Sequence, residues 1–286
     1  MLNNKLIFFL YSMDGGGAEK SFMLISNKAV ELNYDVTVLL VKKKGAYLNN
    51  LNKRIKIKEF NKLLNKIGLL GKFIYFMYFL YLNKKGSLII STTQWPNLIN
   101  SLASLFSKRH KFLLTEQNTW TFYNNPKFYK IKIFTYFLSK IAIINKNISR
   151  IIASSHAVKK SLIQSGVNDA KINVIHNPIN IKDINKKKLE QLCDYDFFNK
   201  DRHNIVAIGR LHPQKDYTTM LYAVNEVRKR KNIKLHILGD GELKNYLLKL
   251  SDNLGISDYV KFHGFVNNPY KFLYHSNLLI HTAIFE

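Results

Sequence analysis

Short apolar runs alternate along the chain with longer segments in which apolar residues recur every three or four positions. The first run, 5–11, is apolar after Lys5 without alternation, which is typical of parallel strands covered on both faces. In the first half these runs predict strands at 5–11, 35–41, 54–60, 87–91, 111–115, 150–154 and 171–176. The segments between them predict helices at 18–32, 68–82, from Pro96 onward, 130–146 and 156–165. This alternation predicts right-handed βαβ units in a doubly wound sheet.

The alternation is interrupted once, after Asn177-Pro178, where residues 179–203 are polar and rich in lysine. It resumes at Asn204 with predicted strands at 204–209, 234–238, 259–262 and 278–282, and with helices between them. We therefore predict an α/β protein with one domain at 1–178, a linker at 179–203 and a second domain at 204–286. The second domain has only four predicted strands and stops directly after one, so we expect it to be incomplete.

Length and composition exclude several classes of protein and favour a folded chain of the cytoplasm. A chain of 286 residues is long enough for about two domains, and 47% hydrophobic residues exclude a disordered chain. Cys193 is the only cysteine, which excludes an internal disulfide or a cysteine cluster and indicates the reducing cytoplasm. The most apolar segment, 68–82, is shorter than the ~20 residues of a membrane span. We interpret it as a buried helix in preference to an interfacial one.

Positive charge is concentrated in the first half. Residues 1–176 carry 27 Lys and Arg against 7 Asp and Glu, a net charge of +20, whereas residues 177–286 carry only +5. Such asymmetry indicates an anionic partner, although a general lysine bias would also produce it. Zinc-finger spacings, helix-turn-helix patterns and RNP motifs are missing from the sequence, so nucleic acid is not expected as a partner.

The segment Ile205–Asp216, IVAIGRLHPQKD, carries the first candidate chemistry. A predicted strand ends in Gly209, and Arg210 and Lys215 follow on a turn immediately before a predicted helix. Two cations beside a helix N-terminus, with its partial positive charge and unpaired N–H groups, suit a phosphate or pyrophosphate. Many α/β loops contain an Arg and a Lys by chance, so the flanking blocks decide the interpretation.

In order and spacing, those blocks resemble the GT-B glycosyltransferases of family 4. They are GGGAEKSF at 15–22, the segment 151–180, IVAIGRLHPQKDYTTML from 205, ILGDGE at 237–242 and VKFHGFVNNP at 260–269. The resemblance implies two Rossmann-like domains facing a cleft, the second of them incomplete here. It also implies a retaining transfer of a hexose or N-acetylhexosamine from a nucleotide sugar, UDP-linked by family precedent, with no metal or other cofactor.

The resemblance also implies roles for individual residues. Arg210 and Lys215 would stabilise the departing diphosphate, and Glu286, as the first glutamate of a Glu-x7-Glu motif, would contact the transferred sugar. Gln117 stands on the sugar and acceptor side, where family members commonly have a histidine, and Gly15 belongs to the same side. The residues that would contact the donor are Gly16, Gly17, Gly209, Gly239, Gly241, Glu242, Gly264 and Val266.

These inferences predict a cytoplasmic enzyme of surface polysaccharide biosynthesis with a glycan or polyprenyl-linked acceptor. The basic first half and the aromatic helix add an anionic membrane, the inner face of the plasma membrane, as an expected surface. Two alternatives stay open. One is an inactive fragment or pseudoenzyme, since the second glutamate of the motif would lie beyond residue 286; the other keeps the fold but assigns epimerisation or phosphorolysis of a sugar nucleotide.

Overall fold

The computed structural model describes residues 4–119, 143–193, 197 and 201–284. The chain divides into two compact units, Met1–Ile179 and Asn180–Glu286. Most of the helix predicted at 130–146 lies outside the described residues. Glu286 also lies outside them. The predicted linker at 179–203 contains a short helix, and from Asn180 onward it belongs to the second unit.

The first unit is built on seven parallel strands in the order β3-β2-β1-β4-β5-β6-β7. Its strands are β1 Lys5–Leu10, β2 Asp35–Leu40, β3 Lys56–Glu59, β4 Leu88–Thr92, β5 Lys111–Glu116, β6 Arg150–Ala153 and β7 Ile172–Val174. Its helices are α1 Gly17–Glu31, α2 Lys62–Lys66, α3 Gly68–Leu82, α4 Gln94–Ser104 and α5 His156–Gln164. Each boundary that was predicted for these elements lies within two residues of the observed one. The end of α4 was left open by the pattern, and the short helix α2 was not predicted.

The inner strand β1 shows why a predicted strand can lack polar alternation. Ile7 and Phe9 enter a cluster that includes residues of α3, α4 and α5. Phe8 and Leu10 point to the opposite side and pack with Phe22 of α1. Because apolar side chains pack against both faces of this strand, its positions from Leu6 to Leu10 are all apolar.

The second unit has a smaller parallel sheet in the order β10-β9-β8-β11. Its strands are β8 His203–Ile208, β9 Ile233–Leu238, β10 Val260–Gly264 and β11 Leu278–Leu279, and its helices are α6 Ile181–Lys187, α7 Tyr217–Val227, α8 Lys244–Asn253 and α9 Tyr270–His275. Residues of β8 again alternate between two clusters. The strand predicted at 278–282 is only two residues long, and both are 54% exposed.

Helix α3 corrects the interpretation of the most apolar segment as a buried helix. One of its faces is buried through Gly71, Phe76, Phe79 and Leu80. Large apolar side chains on the opposite face are exposed. Among the described residues, no helix is long and apolar enough to cross a membrane.

Candidate functional site

The order of the strands indicates where a ligand would bind in the second unit, before any side chain is considered. Strand β8 pairs with β9 on one side and with β11 on the other. The chain runs from β8 to β9 and β10 on one side and then returns to place β11 on the other side of β8, so the strand order reverses between β8 and β11. In open α/β sheets, ligands bind outside the carboxyl ends of the strands at such a point. The loop that follows β8 here is 209–216, the basic segment singled out from the sequence.

In this loop the two predicted cations lie on a short, ordered turn. Arg210 directly follows the glycine at the end of β8 and is exposed to solvent. Lys215 closes a single 3-10 turn, Pro213–Lys215, and lies two residues before α7 begins. Both cations thus stand between the end of a strand and the N-terminus of a helix, which is the arrangement that suits a phosphate group.

Three contacts hold the loop in place. Tyr217, which is 2% exposed, donates its hydroxyl to the carbonyl of Gly209 at 3.0 Å. The hydroxyl of Thr282 donates to the carbonyls of Lys215 and Asp216, both at 2.9 Å. Asp216 has a left-handed φ of 46° and caps α7 by accepting from the amide of Thr219. The sequence pattern gave no reason to single out Tyr217 or Thr282.

The segment that leads to Glu286 runs beside the same loop. Thr282 is bonded to it as described, and the amide of Ile284 donates to the carbonyl of Gln214 at 3.0 Å. Glu286 itself lies outside the described residues, so its predicted contact with the sugar stays a prediction. The described part of this segment runs from β11 to the Lys215 turn and is bonded to it as far as Ile284, two residues before Glu286.

Gly239 and Gly241 have a steric reason to be glycine. They lie on the loop after β9, and a Cβ on Gly239 would stand 1.8 Å from the carbonyl oxygen of Gly209. A Cβ on Gly241 would stand 2.5 Å from the carbonyl oxygen of Leu211. Backbone hydrogen bonds from Leu211 to Asp240 and from Leu243 to Leu211 join the two loops. Glycine at these two positions therefore lets the backbone of the Arg210 loop pack against the loop after β9. Their predicted contact with the donor stays a prediction.

Glu242 lies near the imidazole of His212 rather than on a cation of the loop. Its Oε1 is 3.7 Å from Nε2 of His212, while Nδ1 of that histidine accepts from the amide of Gln214 at 3.2 Å. Burial lowers the pKa of His212, Arg210 lowers it further, and Glu242 opposes both effects. His212 is thus neutral at pH 7, where its Nδ1 lone pair is available to fix the turn.

The segment after β10 borders the same edge of the sheet. Gly264 has a φ of 70°, a conformation that favours glycine, and a bulge separates it from Phe262. Gly264 also forms an isolated bridge with Gly239. Val266 packs its side chain against the apolar cluster around Phe272, so only its backbone is placed to meet a ligand.

The first unit has its own switch point, between β1 and β4, and the glycine loop at 15–17 follows β1 there. Gly16 is the N-cap of α1, with no side-chain hydrogen bond to the cap. The carboxylate of Glu19 folds back toward the cap, since a Cβ on Gly16 would lie 2.4 Å from its Oε2. Burial raises the pKa of Glu19, with repulsion from Asp14 adding to it and backbone N–H groups opposing it.

Gln117 follows β5 at the same edge of the first sheet, two strands from the glycine loop. Its Oε1 accepts from the side-chain amide of Asn177 at 2.8 Å, and its carbonyl accepts from Ser154 at 3.2 Å. Gln117, which occupies the position where the family commonly has a histidine, is therefore bonded to Asn177 near the end of the first unit. Its predicted role near the sugar stays a prediction.

Among the described residues, no group of three or more His, Cys, Asp or Glu side chains could hold a metal ion. The described part of the site offers instead a loop with two cations, the N-terminus of α7 and the backbone of three glycine-containing turns. Chemically, this arrangement can bind an anion and stabilise negative charge that develops on it.

Comparison with known proteins assigns the family. The model of Glycosyltransferase Family 4 matches residues 15–183, and that of Glycosyl transferases group 1 matches residues 195–286. The N-acetylgalactosamine-N,N'-diacetylbacillosaminyl-diphospho-undecaprenol 4-alpha-N-acetylgalactosaminyltransferase of Campylobacter jejuni is 25% identical over 305 residues, which cover 99% of this chain and 75% of that protein.

Solved structures with the same fold include HepE of Anabaena in complex with UDP and glucose, with a TM-score of 0.73 and 20% identity over 98% of this chain and 74% of that one. WaaG, a glycosyltransferase involved in lipopolysaccharide biosynthesis, has a TM-score of 0.69 and 13% identity over 98% of this chain and 75% of that one. The chain therefore belongs to glycosyltransferase family 4, has the α/β GT-B fold and is a glycosyltransferase.

Proposed function

We propose that this protein transfers a hexose or N-acetylhexosamine, with retention of anomeric configuration, from a UDP-sugar to a lipid-linked acceptor in surface glycan biosynthesis. We place this reaction on the cytoplasmic side, at the inner face of the plasma membrane. The observation that carries the proposal is the position of Arg210 and Lys215 at the switch point of the second sheet, beside the N-terminus of α7.

The chemistry follows from where charge develops. As the bond between the anomeric carbon and the phosphate oxygen breaks, negative charge accumulates on the β-phosphate of the leaving nucleotide. Arg210 and Lys215 supply fixed positive charges for it, and the N-terminus of α7 adds a partial one. Tyr217 and Thr282 fix the carbonyls of the loop, so the cations need little reorganisation. Glu286 is proposed to contact the transferred sugar.

Two relatives support the choice of donor and acceptor. HepE of Anabaena was crystallised with UDP and glucose, which favours a UDP-linked hexose. The Campylobacter jejuni enzyme is named for an acceptor on diphospho-undecaprenol and for transfer of N-acetylgalactosamine, which favours a polyprenyl diphosphate acceptor. The +20 charge of residues 1–176 suits both the acceptor's diphosphate and an anionic membrane surface.

The experiment is a donor screen with the purified protein, in which UDP-glucose, UDP-galactose, their N-acetyl forms and GDP-mannose are each offered with a polyprenyl diphosphate sugar. Proton NMR of the product reads the anomeric configuration directly. An α-linked product from an α-linked UDP-sugar supports the proposal. A β-linked product would refute retention, and donor release only from GDP-sugars would refute the UDP assignment.

A further inference from the structure

Helix α3 presents an apolar face that is exposed within the part of the chain that the structure describes. Leu70, Ile74, Tyr78 and Tyr81 are 62%, 47%, 57% and 72% exposed. They recur at intervals of four, four and three residues, so they lie on one side of the helix. The residues that enter the core, Phe76 and Phe79 among them, lie on the other side. We call the four exposed residues the α3 outer stripe.

Other apolar side chains on or beside α3 are exposed as well. Leu63 and Ile67, just before α3, are 71% and 58% exposed. Phe106, after α4, is 69% exposed, and its ring lies 5.9 Å from that of Phe73 in α3. Single exposed apolar residues are ordinary, whereas contiguous ones mark a site of interaction with a protein or a membrane.

The charge around the stripe distinguishes between those two kinds of partner. Residues 60–115, which contain α2, α3 and α4, carry eight Lys and Arg and not one Asp or Glu. A second copy of this chain would bring the same positive surface, and the two would repel. A bilayer with anionic lipids offers both a negative headgroup layer and an apolar interior.

We propose that the α3 outer stripe seats in the boundary between headgroups and acyl chains of an anionic bilayer, with α3 lying in the plane of the membrane. With 15 residues α3 is too short to span the bilayer. Tyr78 and Tyr81 suit the boundary because their rings are apolar and their hydroxyls reach water. This inference rests on the proposed function, since a polyprenyl-linked acceptor is presented at a membrane surface. It identifies the α3 outer stripe as the part of the protein that contacts that membrane.

The test measures binding to vesicles with no sugar donor or acceptor present. Flotation with vesicles of phosphatidylglycerol and phosphatidylethanolamine is compared for the wild type and the double variant Ile74→Ser/Tyr81→Ser. The matched control is Tyr222→Ser/Tyr246→Ser in the second unit, where both residues are 51% exposed. We expect the stripe variant to bind at least ~10-fold more weakly and the control to bind as the wild type does. All four positions are exposed, and a thermal melt of each variant checks that it folds.

A second measurement reads insertion directly. In Tyr78→Trp, the added indole is expected to shift its emission to the blue on addition of anionic vesicles but not of phosphatidylcholine vesicles, and less at high salt. Equal vesicle binding by the wild type and the stripe variant would overturn the proposal. So would a concentration-dependent dimer of the wild type that the stripe variant lacks in light scattering, since the face would then join two copies. Because neither readout involves sugar transfer, failure of the transferase assay leaves this inference standing.

Discussion

The contact between the two loops of the second unit makes the substitution Gly239→Ala a sharp test of the site. In the native structure a Cβ at this position would lie 1.8 Å from the carbonyl oxygen of Gly209. The obstacle is backbone, so no rotation of a side chain can relieve it. The two loops must separate by about 1.2 Å for the contact to reach roughly 3 Å, below which real Cβ contacts are essentially never seen.

The loop that must move is the one carrying Arg210 and Lys215. A misplacement of about 1 Å at a catalytic group costs roughly 100-fold in rate, and overpacking costs about 1–3 kcal/mol in free energy of unfolding. We therefore expect Gly239→Ala to lower kcat with a UDP-sugar by about 100-fold and to lower Tm by several degrees.

Steady-state kinetics and a thermal melt measure both effects. Gly17→Ala is the control for stability, because a Cβ there meets nothing within 4 Å and alanine is favoured in a helix. Its Tm should equal or exceed that of the wild type. A Gly239→Ala protein with native kcat and native Tm would refute the argument that the two loops pack against each other.

Three further predictions concern ionisable groups of the two sites. Tyr217→Phe should lose about 1 kcal/mol in free energy of unfolding at pH 7, because it removes the hydrogen bond to Gly209. Burial raises the pKa of Tyr217 to about 12, so in urea titrations the wild type should lose stability relative to this variant as the pH rises from about 10 through 12. Glu242→Gln should lower the pKa of His212 further, read by NMR of the ring protons, since Glu242 is what raises it; an unchanged or raised pKa would contradict the contact. Because burial raises the pKa of Glu19, the ionised carboxylate opposes folding, and Glu19→Gln should gain stability relative to the wild type as the pH rises above about 4.5. A gain that shrinks with rising pH would show that Glu19 is not desolvated.

The elements of both units were largely predictable because buried parallel strands are apolar at every position and their helices keep a period near 3.6. Strand β1 shows why, since its neighbouring residues enter different clusters. The position of Arg210 and Lys215 between a strand and a helix was also predictable, because the loop that carries them is short and its flanking elements fix it.

Contacts between distant segments were not predictable in this way. Gly239 could be recognised as a turn residue, but the reason for it is the carbonyl of Gly209, 30 residues earlier in the sequence. Thr282 holds the Lys215 turn from 67 residues away. The outer face of α3 was interpreted as buried because hydrophobicity alone does not reveal which apolar face lacks a neighbour. In each case the missing information is the arrangement of loops and layers in space.

Turnover of an Arg210→Ala variant tests the central claim most directly. The matched control is Arg230→Ala, which removes an exposed arginine just beyond the C-terminal end of α7 in the same unit. If Arg210 stabilises the departing diphosphate, its loss should lower kcat with a UDP-sugar by about 100- to 1,000-fold at unchanged Tm, while the control keeps native kcat. Native turnover by Arg210→Ala, or an equal loss in both variants, would contradict the account.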